Sequence, residues 1–247
     1  MTFGVRFGEE GSVEEIKTGE IVRWSYGERR RRIDQVARES EVVIRLNGIN
    51  YNQIFCSSSH LEEMAIGNLI SEGFDVSHVT NIKIERKNVF FIDVTMNDAE
   101  KIKPKKIKPK KIGSKMRMTG RDVLKFAEEL DENSFLFKKT GGTHVVGVCN
   151  GNNSIFVEDI SRHCAIDKII GICARDKIDS SQNVLVVSCR QTASTMRKVI
   201  IGRFPIVISL SAPTDLAIKF ADEFGVTLIG FASPEQFNIY THAWRIL

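Results

Sequence analysis

The second half of the sequence predicts an α/β fold in which helices cover both faces of a sheet. Three continuous apolar runs, typical of buried strands, span residues 184–188, 205–210 and 226–231. Two amphipathic segments, 192–201 and 213–224, separate these runs. Because strand and helix alternate, we expect right-handed crossovers and parallel pairing of the three strands.

The first half predicts a smaller α+β region. Alternating runs within residues 42–55 flank Asn47 and Gly48, a pair that suits the positive φ angles of a type I′ turn. A second hairpin is expected over residues 79–96. The two hairpins should supply most of the strands of this region.

An amphipathic helix is predicted between the hairpins. Residues 58–74 carry apolar side chains at helical spacing, and Ser59 stands three residues before Glu62, as in a capping box. Gly73 suits the left-handed conformation that ends many helices. We therefore expect a helix that begins at Ser59 and stops at Gly73.

A Lys- and Pro-rich stretch, residues 101–118, divides the chain. It repeats the hexamer KIKPKK, and its prolines cannot lie inside a helix or a central strand. Repulsion between its charges favours an extended loop. The predicted organisation is an α+β region over 1–100, a basic loop over 101–118 and an α/β core over 119–247.

Capping and turn signals predict the elements that open the core. Asp122 stands three residues after Thr119, as in a capping box. The predicted elements are, in order, a helix at 119–131 started by Thr119, a strand through 145–148, a turn at 150–151, a strand at 154–160 and a helix at 161–171 ended by Gly171.

Composition is that of an ordinary globular protein, with 42% hydrophobic and 27% charged residues. No apolar run is long enough to cross a bilayer, and the N-terminus lacks the basic start and apolar stretch of a signal peptide. We expect a cytoplasmic protein without membrane association. The five cysteines are odd in number and form no C-x-x-C motif, so neither a disulfide framework nor a metal site is predicted.

The net charge of +4 is unevenly distributed, with basic clusters at residues 29–32 and 101–111. Solvated loops are one explanation, and a polyanionic partner is the other. Lysines without base-reading groups would bind nucleic acid in a salt-sensitive, sequence-independent way. Few aromatic side chains near the lysine-rich loop could stack on bases, so nucleic acid is the less favoured partner.

Hydroxyl-rich loops follow the three apolar strands: SCRQTAS, SLSAPT and FASPEQ. Ligands of a parallel sheet bind outside the carboxyl ends of its strands, and helix N-termini there can hold phosphate. Arg190 adds a forked, charged donor, and the expected caps are Thr192 or Ser194, and Ser211, with Pro213 in a first turn. The alternative is that these hydroxyls only cap helices.

The segment EDISRHCAIDKIIG adds charged candidates, Asp159 and Arg162 among them. His163 and Asp167 are one helical turn apart, so they can share a face where a carboxylate favours the protonated imidazole. A surface ion pair between Asp167 and its neighbour Lys168 is the alternative.

The segment TGGTHVVGV places Gly141 and Gly142 before His144 at the mouth of a strand. Glycines permit close approach of a ligand to the backbone, and the imidazole can serve as a polar wall or a proton donor. The alternative is that His144 is a hydrogen-bonded structural residue.

Six segments, taken together and in order, resemble the formate dehydrogenase accessory proteins of the FdhD type. They are FCSSSHLEEMAIGNLISEGF, TGGTHVVGV, EDISRHCAIDKIIG, VSCRQTASTMRK, SLSAPTDLAIKFADEFGVTLIGF and NIYTHAWRI. The similarity extends from about residue 20 to the C-terminus. It implies a three-layer core with a mixed sheet, like that of cytidine deaminases, and assembly as a homodimer.

The resemblance also implies a function in the maturation of molybdenum or tungsten formate dehydrogenase. Such proteins bind the bis(molybdopterin guanine dinucleotide) cofactor, which GDP mimics, and relay sulfur to it from a cysteine desulfurase. The family's cofactor-binding stretch corresponds to residues 231–236, where Glu235 and Gln236 replace the glycine and arginine of some relatives. The predicted cofactor-binding set is Gly141, Gly142, His144, Asp159, Arg162, His163, Ser188, Arg190, Ser211, Ala212, Pro213, Thr214, Phe231, Ala232, Ser233, Pro234, Glu235 and Gln236.

One departure from the family pattern concerns sulfur. The family's sulfur carriers hold a C-G-x-C-G motif on a loop before the helix that precedes TGG, whereas the corresponding stretch here, KPKKIGSKMRMTGRD, has no cysteine. Neither Ser114 nor Met116 can form a persulfide. The catalytic residue for sulfur transfer is therefore unassigned, with Cys56, Cys149, Cys164, Cys173 and Cys189 as the available thiols. The deaminase zinc motif is also absent from the sequence.

Overall fold

A computed structural model describes residues 15–97, 109–151 and 153–247. Within these ranges the chain forms three β-sheets and six α-helices. The predicted boundary at residue 100 and the first lysines of the basic loop lie outside the described residues, so the domain division stays a prediction. No helix in the described ranges is both long and apolar enough to span a bilayer.

The largest sheet has six strands in the order β12-β11-β10-β9-β7-β8. They are β7 (His144–Asn150), β8 (Asn153–Asp159), β9 (Val184–Val187), β10 (Ile206–Ser209), β11 (Thr227–Gly230) and β12 (Asn238–Ile239). β9, β10 and β11 run parallel, as their continuous apolar sequences predict, and every residue in them is buried. β7 pairs antiparallel with both β8 and β9, so the sheet is mixed.

Helices cover both faces of this sheet. In the described residues after 108 the helices are α2 (Gly120–Glu132), α3 (Phe135–Thr140), α4 (Arg162–Arg175), α5 (Ala193–Ile201) and α6 (Asp215–Phe224). α4, α5 and α6 pack on one face and α2 on the other. The predicted α/β architecture is confirmed, while the likeness to cytidine deaminases stays a prediction.

The N-terminal region forms a four-stranded sheet in the order β4-β3-β6-β5 against one helix. Its elements are β3 (Ser40–Leu46), β4 (Ile49–Cys56), α1 (Leu61–Glu72), β5 (Val79–Arg86) and β6 (Phe90–Met96). Both predicted hairpins are confirmed, and Asn47 and Gly48 have φ angles of 48° and 81°, as a type I′ turn requires.

Two predicted helix boundaries are wrong. His60, not Ser59, precedes α1, because the hydroxyl of Ser59 instead accepts a hydrogen bond from Lys168 Nζ at 3.3 Å. Gly171 lies inside α4, which continues to Arg175. The predicted end of α1 at Gly73 is confirmed, because Gly73 has a left-handed conformation. The predicted start of α2 at Thr119 is also confirmed, because Thr119 forms a capping box with Asp122.

Gly171 is inside a helix because α1 and α4 cross with their backbones in contact. A Cβ atom added to Gly171 would overlap the carbonyl oxygen of Glu63, and one added to Gly67 would overlap that of Asp167. Only glycine fits at both positions. The crossing joins the N-terminal sheet to the core.

A buried polar cluster holds the same crossing. The carboxylate of Asp167 accepts hydrogen bonds from Lys198 Nζ of α5 at 2.5 and 2.6 Å, from Ser71 Oγ of α1 at 2.7 Å and from Asn68 Nδ2 of α1 at 3.2 Å. Three helices therefore share one buried carboxylate, which fixes their relative positions.

A two-stranded hairpin, which we call the arm, consists of β1 (Ile16–Ser25) and β2 (Glu28–Ala37). Tyr26 and Gly27, both with positive φ, form its turn. The arm was not predicted. The explanation of residues 29–32 as a loop is wrong, because these arginines lie within β2.

We predict that Gly67→Ala destabilises the chain by about 3 kcal/mol or more, because the new methyl group would push the α1 and α4 backbones apart. Urea unfolding measures the free energy of unfolding. Gly19→Ala on β1 is the matched control, since among the described residues no atom beyond its two chain neighbours lies within 4 Å of its added Cβ. Equal stability of the two variants would contradict the proposed backbone contact.

Candidate functional site

The loops that follow β9, β10 and β11 lie side by side at one edge of the large sheet. The amide of Gln191 donates to the carbonyl of Ala212 at 3.2 Å, and the amide of Thr214 donates to the carbonyl of Gln191 at 2.9 Å. The amide of Phe231 donates to the carbonyl of Ser211 at 3.2 Å. Direct backbone hydrogen bonds thus connect the three loops.

The start of β7 and the end of β8 reach the same edge. Ser188, just after β9, is bonded to Val145 twice: its hydroxyl accepts from the Val145 amide at 3.0 Å, and its own amide donates to the Val145 carbonyl at 2.9 Å. His144 pairs with Asp159 across β7 and β8. We call this edge the rim and define it as residues 141–144, 159–163, 188–192, 211–214 and 231–236.

Three helices begin at the rim, each with a side-chain cap. Ser161 caps α4, Thr192 caps α5 and Thr214 caps α6. Of the two caps predicted for α5, Thr192 is confirmed, and the Ser194 hydroxyl instead lies 3.1 Å from His163 Nε2. The predicted cap Ser211 is wrong, since it belongs to the loop before α6. Pro213 also precedes α6 and is not in its first turn.

Arginines set the charge of the rim. Burial lowers the pKa of His144, and the nearby Arg162 and Arg190 guanidiniums add to the effect. Burial also lowers the pKa of His163, with contributions from Lys198 and Arg162. Both imidazoles are therefore neutral at pH 7, and Arg190 is exposed to solvent. The positive charge comes from the guanidiniums and the helix N-termini.

Two rim side chains have buried polar atoms without a hydrogen-bond partner in the described part of the chain. They are Gln191 Oε1 and Arg162 Nε. Gln191 is fully buried. Its Nε2 donates a long hydrogen bond to Cys189 Sγ at 3.9 Å, whereas its Oε1 accepts none from the described residues. Sequence reasoning missed Gln191. The available signal was a long amide side chain directly before the cap Thr192 in a loop of small residues.

Asp159 is part of a buried ion pair and does not face solvent. Its carboxylate lies 2.7 Å from Lys168 Nζ, both side chains are fully buried, and it accepts amide hydrogen bonds from Ser57 and Ser161. Burial raises the pKa of Asp159, which the Lys168 ammonium opposes. The predicted surface pair of Asp167 with Lys168 is wrong, since Asp167 pairs with Lys198.

Asp167 also does not share a hydrogen bond with His163. The His163 ring contacts Ser194, and the Asp167 carboxylate is directed to α1 and α5. Asp167 raises the pKa of His163, as expected of a nearby carboxylate, but burial, Lys198 and Arg162 outweigh it, and the pKa is lowered.

The glycines of TGG have local structural functions. Gly141, with φ 66°, ends α3, and a Cβ on Gly142 would lie 3.2 Å from Ala37 Cβ at the base of the arm. Thr143 is buried and donates to Glu158 at 2.7 Å. The backbone of both glycines is nevertheless exposed, beside His144.

The loop of residues 231–236 is closed on itself. Ser233 donates its amide to the Gln236 carbonyl at 2.9 Å, and its hydroxyl accepts from the amides of Glu235 and Gln236. Phe231 has a positive φ of 53° and an exposed ring, whereas Ala232 is buried. Pro234 and the Glu235 carboxylate are exposed at the rim.

The segment without cysteine lies at the opposite edge of the sheet. Ile112 donates its amide to Phe224 before β11, and Ser114 Oγ donates to the carbonyl of Ser181 before β9. Met118 pairs with Ile246 at the C-terminus. The described lysines at 110, 111 and 115 therefore lie at the opposite end of the strands from the rim loops.

All five cysteines are buried and free. Burial raises the pKa of Cys149 to about 12 and the pKa values of Cys173 and Cys189 to about 11. Such thiols are poor nucleophiles at pH 7. Among the described residues, no group of three or more His, Cys, Asp or Glu side chains could hold a metal ion.

Comparison with known proteins identifies the family. The model of the FdhD/NarQ family matches residues 93–247. The chain belongs to the FdhD/NarQ family. It is 31% identical to the sulfur carrier protein FdhD of Methanothermobacter thermautotrophicus over 235 residues, which cover 89% of this chain and 94% of that protein. It is 32% identical to the sulfur carrier protein FdhD of Bacillus licheniformis, over 92% of this chain and 95% of that protein.

A crystal structure shares the fold of this family member. It is that of a protein from Desulfotalea psychrophila provisionally described as a formate dehydrogenase accessory protein. The TM-score is 0.81, with 23% sequence identity over 93% of this chain and 98% of that one. The likeness extends over the N-terminal region as well as the core.

We predict that His144 and His163 titrate below pH 6.5 in NMR spectra, and that Arg162→Gln raises both midpoints because it removes a nearby positive charge. Arg121→Gln, an exposed arginine on α2 at the opposite edge, is the control and should change neither. Unchanged midpoints in Arg162→Gln would contradict the rim electrostatics.

The same shifts determine a pH dependence of stability. The folded pKa values of both histidines lie below their unfolded values, so the unfolded chain binds more protons as the pH falls through about 6.5. The two histidines therefore contribute stability above that pH, and we expect their contribution to decrease below it. Urea unfolding of the double variant His144→Gln, His163→Gln should show a smaller loss between pH 7 and pH 5.5.

Proposed function

We propose that this chain binds the bis(molybdopterin guanine dinucleotide) cofactor at the rim and acts in formate dehydrogenase maturation. The convergence of three helix N-termini with two arginines at one sheet edge carries the proposal, because it concentrates amide donors and positive charge where phosphate groups can bind. The names of its relatives, sulfur carrier and accessory proteins, agree with it.

The residues at the rim fit the nucleotide part of this cofactor. Arg190 and Arg162, with the amides that open α5, would hold the phosphates, since the first turn of α5 carries no acidic residue. Gln191 Oε1 is an acceptor without a donor among the described residues, and guanine offers N–H donors on its ring and its exocyclic amine; because Gln191 is fully buried, its side chain would have to turn toward the surface to meet them. The exposed backbone of Gly141 and Gly142 would admit the bulky pterin. The cofactor itself would supply the metal chemistry of the client enzyme.

Acidic groups limit where the phosphates can bind. The exposed carboxylate of Glu235 lies in the loop after β11, and that of Asp215 lies in the first turn of α6, so phosphate binding is favoured near Arg190 and Arg162 on the other side of the rim. Asp159 is neutralised by Lys168 and does not oppose an anion.

Sulfur relay from a cysteine desulfurase is the second part of the proposal, and it requires a thiol other than those of the family motif. Incubation with a desulfurase and L-cysteine, followed by persulfide trapping and mass spectrometry, tests it. Modification of one of the five cysteines supports relay, and five unmodified thiols would limit the function to cofactor binding.

The proposed partners are formate dehydrogenase, a cysteine desulfurase and a second copy of the chain, as the family resemblance implies. Nucleic-acid binding through the lysine-rich loop stays the less favoured alternative, because residues 101–108 of that loop lie outside the described residues.

We predict that GDP binds the chain and that Arg190→Ala weakens binding by about tenfold or more, because a charge-assisted hydrogen bond contributes about 1.5–3 kcal/mol. Titration calorimetry measures the dissociation constant. Arg121→Ala removes the same charge at the opposite edge and should bind like the parent chain. The absence of heat with GDP, or equal losses in both variants, would count against the rim as the site.

A further inference from the structure

The arm exposes large apolar side chains to water, where burial against another surface would be favourable. Val22, Trp24 and Ile33 are 62%, 67% and 80% exposed. An isolated two-stranded hairpin is at best marginally stable in water, and exposed apolar groups that lie together mark interaction surfaces. The arm therefore has the composition of a contact surface.

The strand register assigns these side chains to one face of the arm. Val22 pairs with Arg31, Trp24 with Arg29 and Glu20 with Ile33, and residues directly opposite each other project to the same face. We call this face the apolar face. The other face carries Arg23 opposite Arg30 and Ile21 opposite Arg32.

The charge imbalance of the chain resides in the outer half of the arm. Residues 21–32 contain five arginines and one glutamate, a formal charge of +4, which equals the net charge of the whole chain. The other 235 residues carry 30 basic and 30 acidic side chains and are neutral overall. A partner for the arm should therefore combine acidic and apolar groups.

The chain has such a surface where α2 meets α3. Glu128 and Glu132, one turn apart on α2, are exposed, and Phe135 and Phe137 of α3 are 61% and 48% exposed. We call residues 128–137 the corner. α3 packs on β2, and Gly142 faces Ala37, so the corner lies beside the base of the arm in the same chain.

We propose that two copies of the chain dimerise by laying the apolar face of each arm on the corner of the other. Ten residues in each strand give the arm a reach of about 33 Å. Two arms that lie side by side across a two-fold axis perpendicular to them run antiparallel, so in this arrangement the tip of each meets the base of the other, where the corner is. This assignment rests on the homodimer proposed above and names its contact surfaces.

The chemistry of the two surfaces matches. The corner offers two carboxylates, one for Arg29 and one for Arg31, whose guanidinium also lies 3.4 Å from the exposed Glu20 carboxylate of its own arm. The phenylalanine rings of the corner offer an apolar surface for Trp24 and Val22. Exposed aliphatic side chains such as Ile33 gain free energy when covered by protein but have no favourable partner on a nucleic acid, so a second copy is the favoured occupant.

Charge exchange between the two surfaces tests the proposal. The arm variant is Arg29→Glu with Arg31→Glu, and the corner variant is Glu128→Lys with Glu132→Lys. In sedimentation equilibrium at micromolar concentration we expect the parent chain to be dimeric and each variant alone to dissociate at least about tenfold more readily. An equimolar mixture should form a heterodimer, since both of its arm–corner contacts again join opposite charges.

The control variant is Arg23→Glu with Arg30→Glu, which changes the same charge on the other face and should stay dimeric. Far-UV circular dichroism and the unfolding temperature verify that every variant is folded. Dimerisation of the arm variant with the parent affinity, or a mixture that stays monomeric, would overturn the arm assignment while leaving the GDP site and a dimer through another surface intact. A monomeric parent chain would overturn the arm assignment and the dimer, but not the GDP site.

Discussion

The backbone contact between α1 and α4 is the constraint on which the structure depends most. Gly67 and Gly171 let the two helices approach until each backbone touches the other, and the Asp167 carboxylate then reaches donors on α1 and α5. α4 packs on the large sheet with its opposite side. Its position sets where Arg162 and His163 stand, because both lie in its first turn at the rim.

Two lysines form ion pairs inside the protein, whereas the arginines of the rim are available to a ligand. The ammonium groups of Lys168 and Lys198 are matched to Asp159 and Asp167 inside the protein, where an unpaired charge would be costly. Within the described residues, no carboxylate forms such an ion pair with Arg162 or Arg190 of the rim. Their charge and the three helix N-termini give this edge of the sheet a positive potential. The two neutral histidines do not contribute to it.

Sequence patterns predicted the core well because burial alone specifies it. The strands within residues 205–210 and 226–231 are covered on both faces. Their sequences are therefore apolar without interruption, and this pattern predicts them. The rim followed from the same pattern, because parallel strands end at a common edge. Capping pairs such as Thr119 with Asp122 involve only local contacts and were predicted for the same reason.

Predictions failed where a distant segment decides the outcome. Gly171 has the residue type of a helix stop, but α1 requires the glycine for its close approach. Asp167 and Lys168 are neighbours in sequence, yet successive residues of a helix point about 100° apart, so each found another partner. Four consecutive arginines in β2 leave no alternation of apolar and polar residues by which the strand could be predicted. No property of the sequence around Gln191 shows that its amide oxygen would be buried without a donor among the described residues.

The central claim is that the rim binds a guanine nucleotide, and amide NMR of the chain titrated with GDP tests it most directly. We expect shifts to concentrate at Gly141, Ser188, Arg190 and Gln191 and in residues 211–214, with residues 110–118 unchanged. Shifts that concentrate in residues 110–118, or a spectrum that GDP does not change, would contradict it.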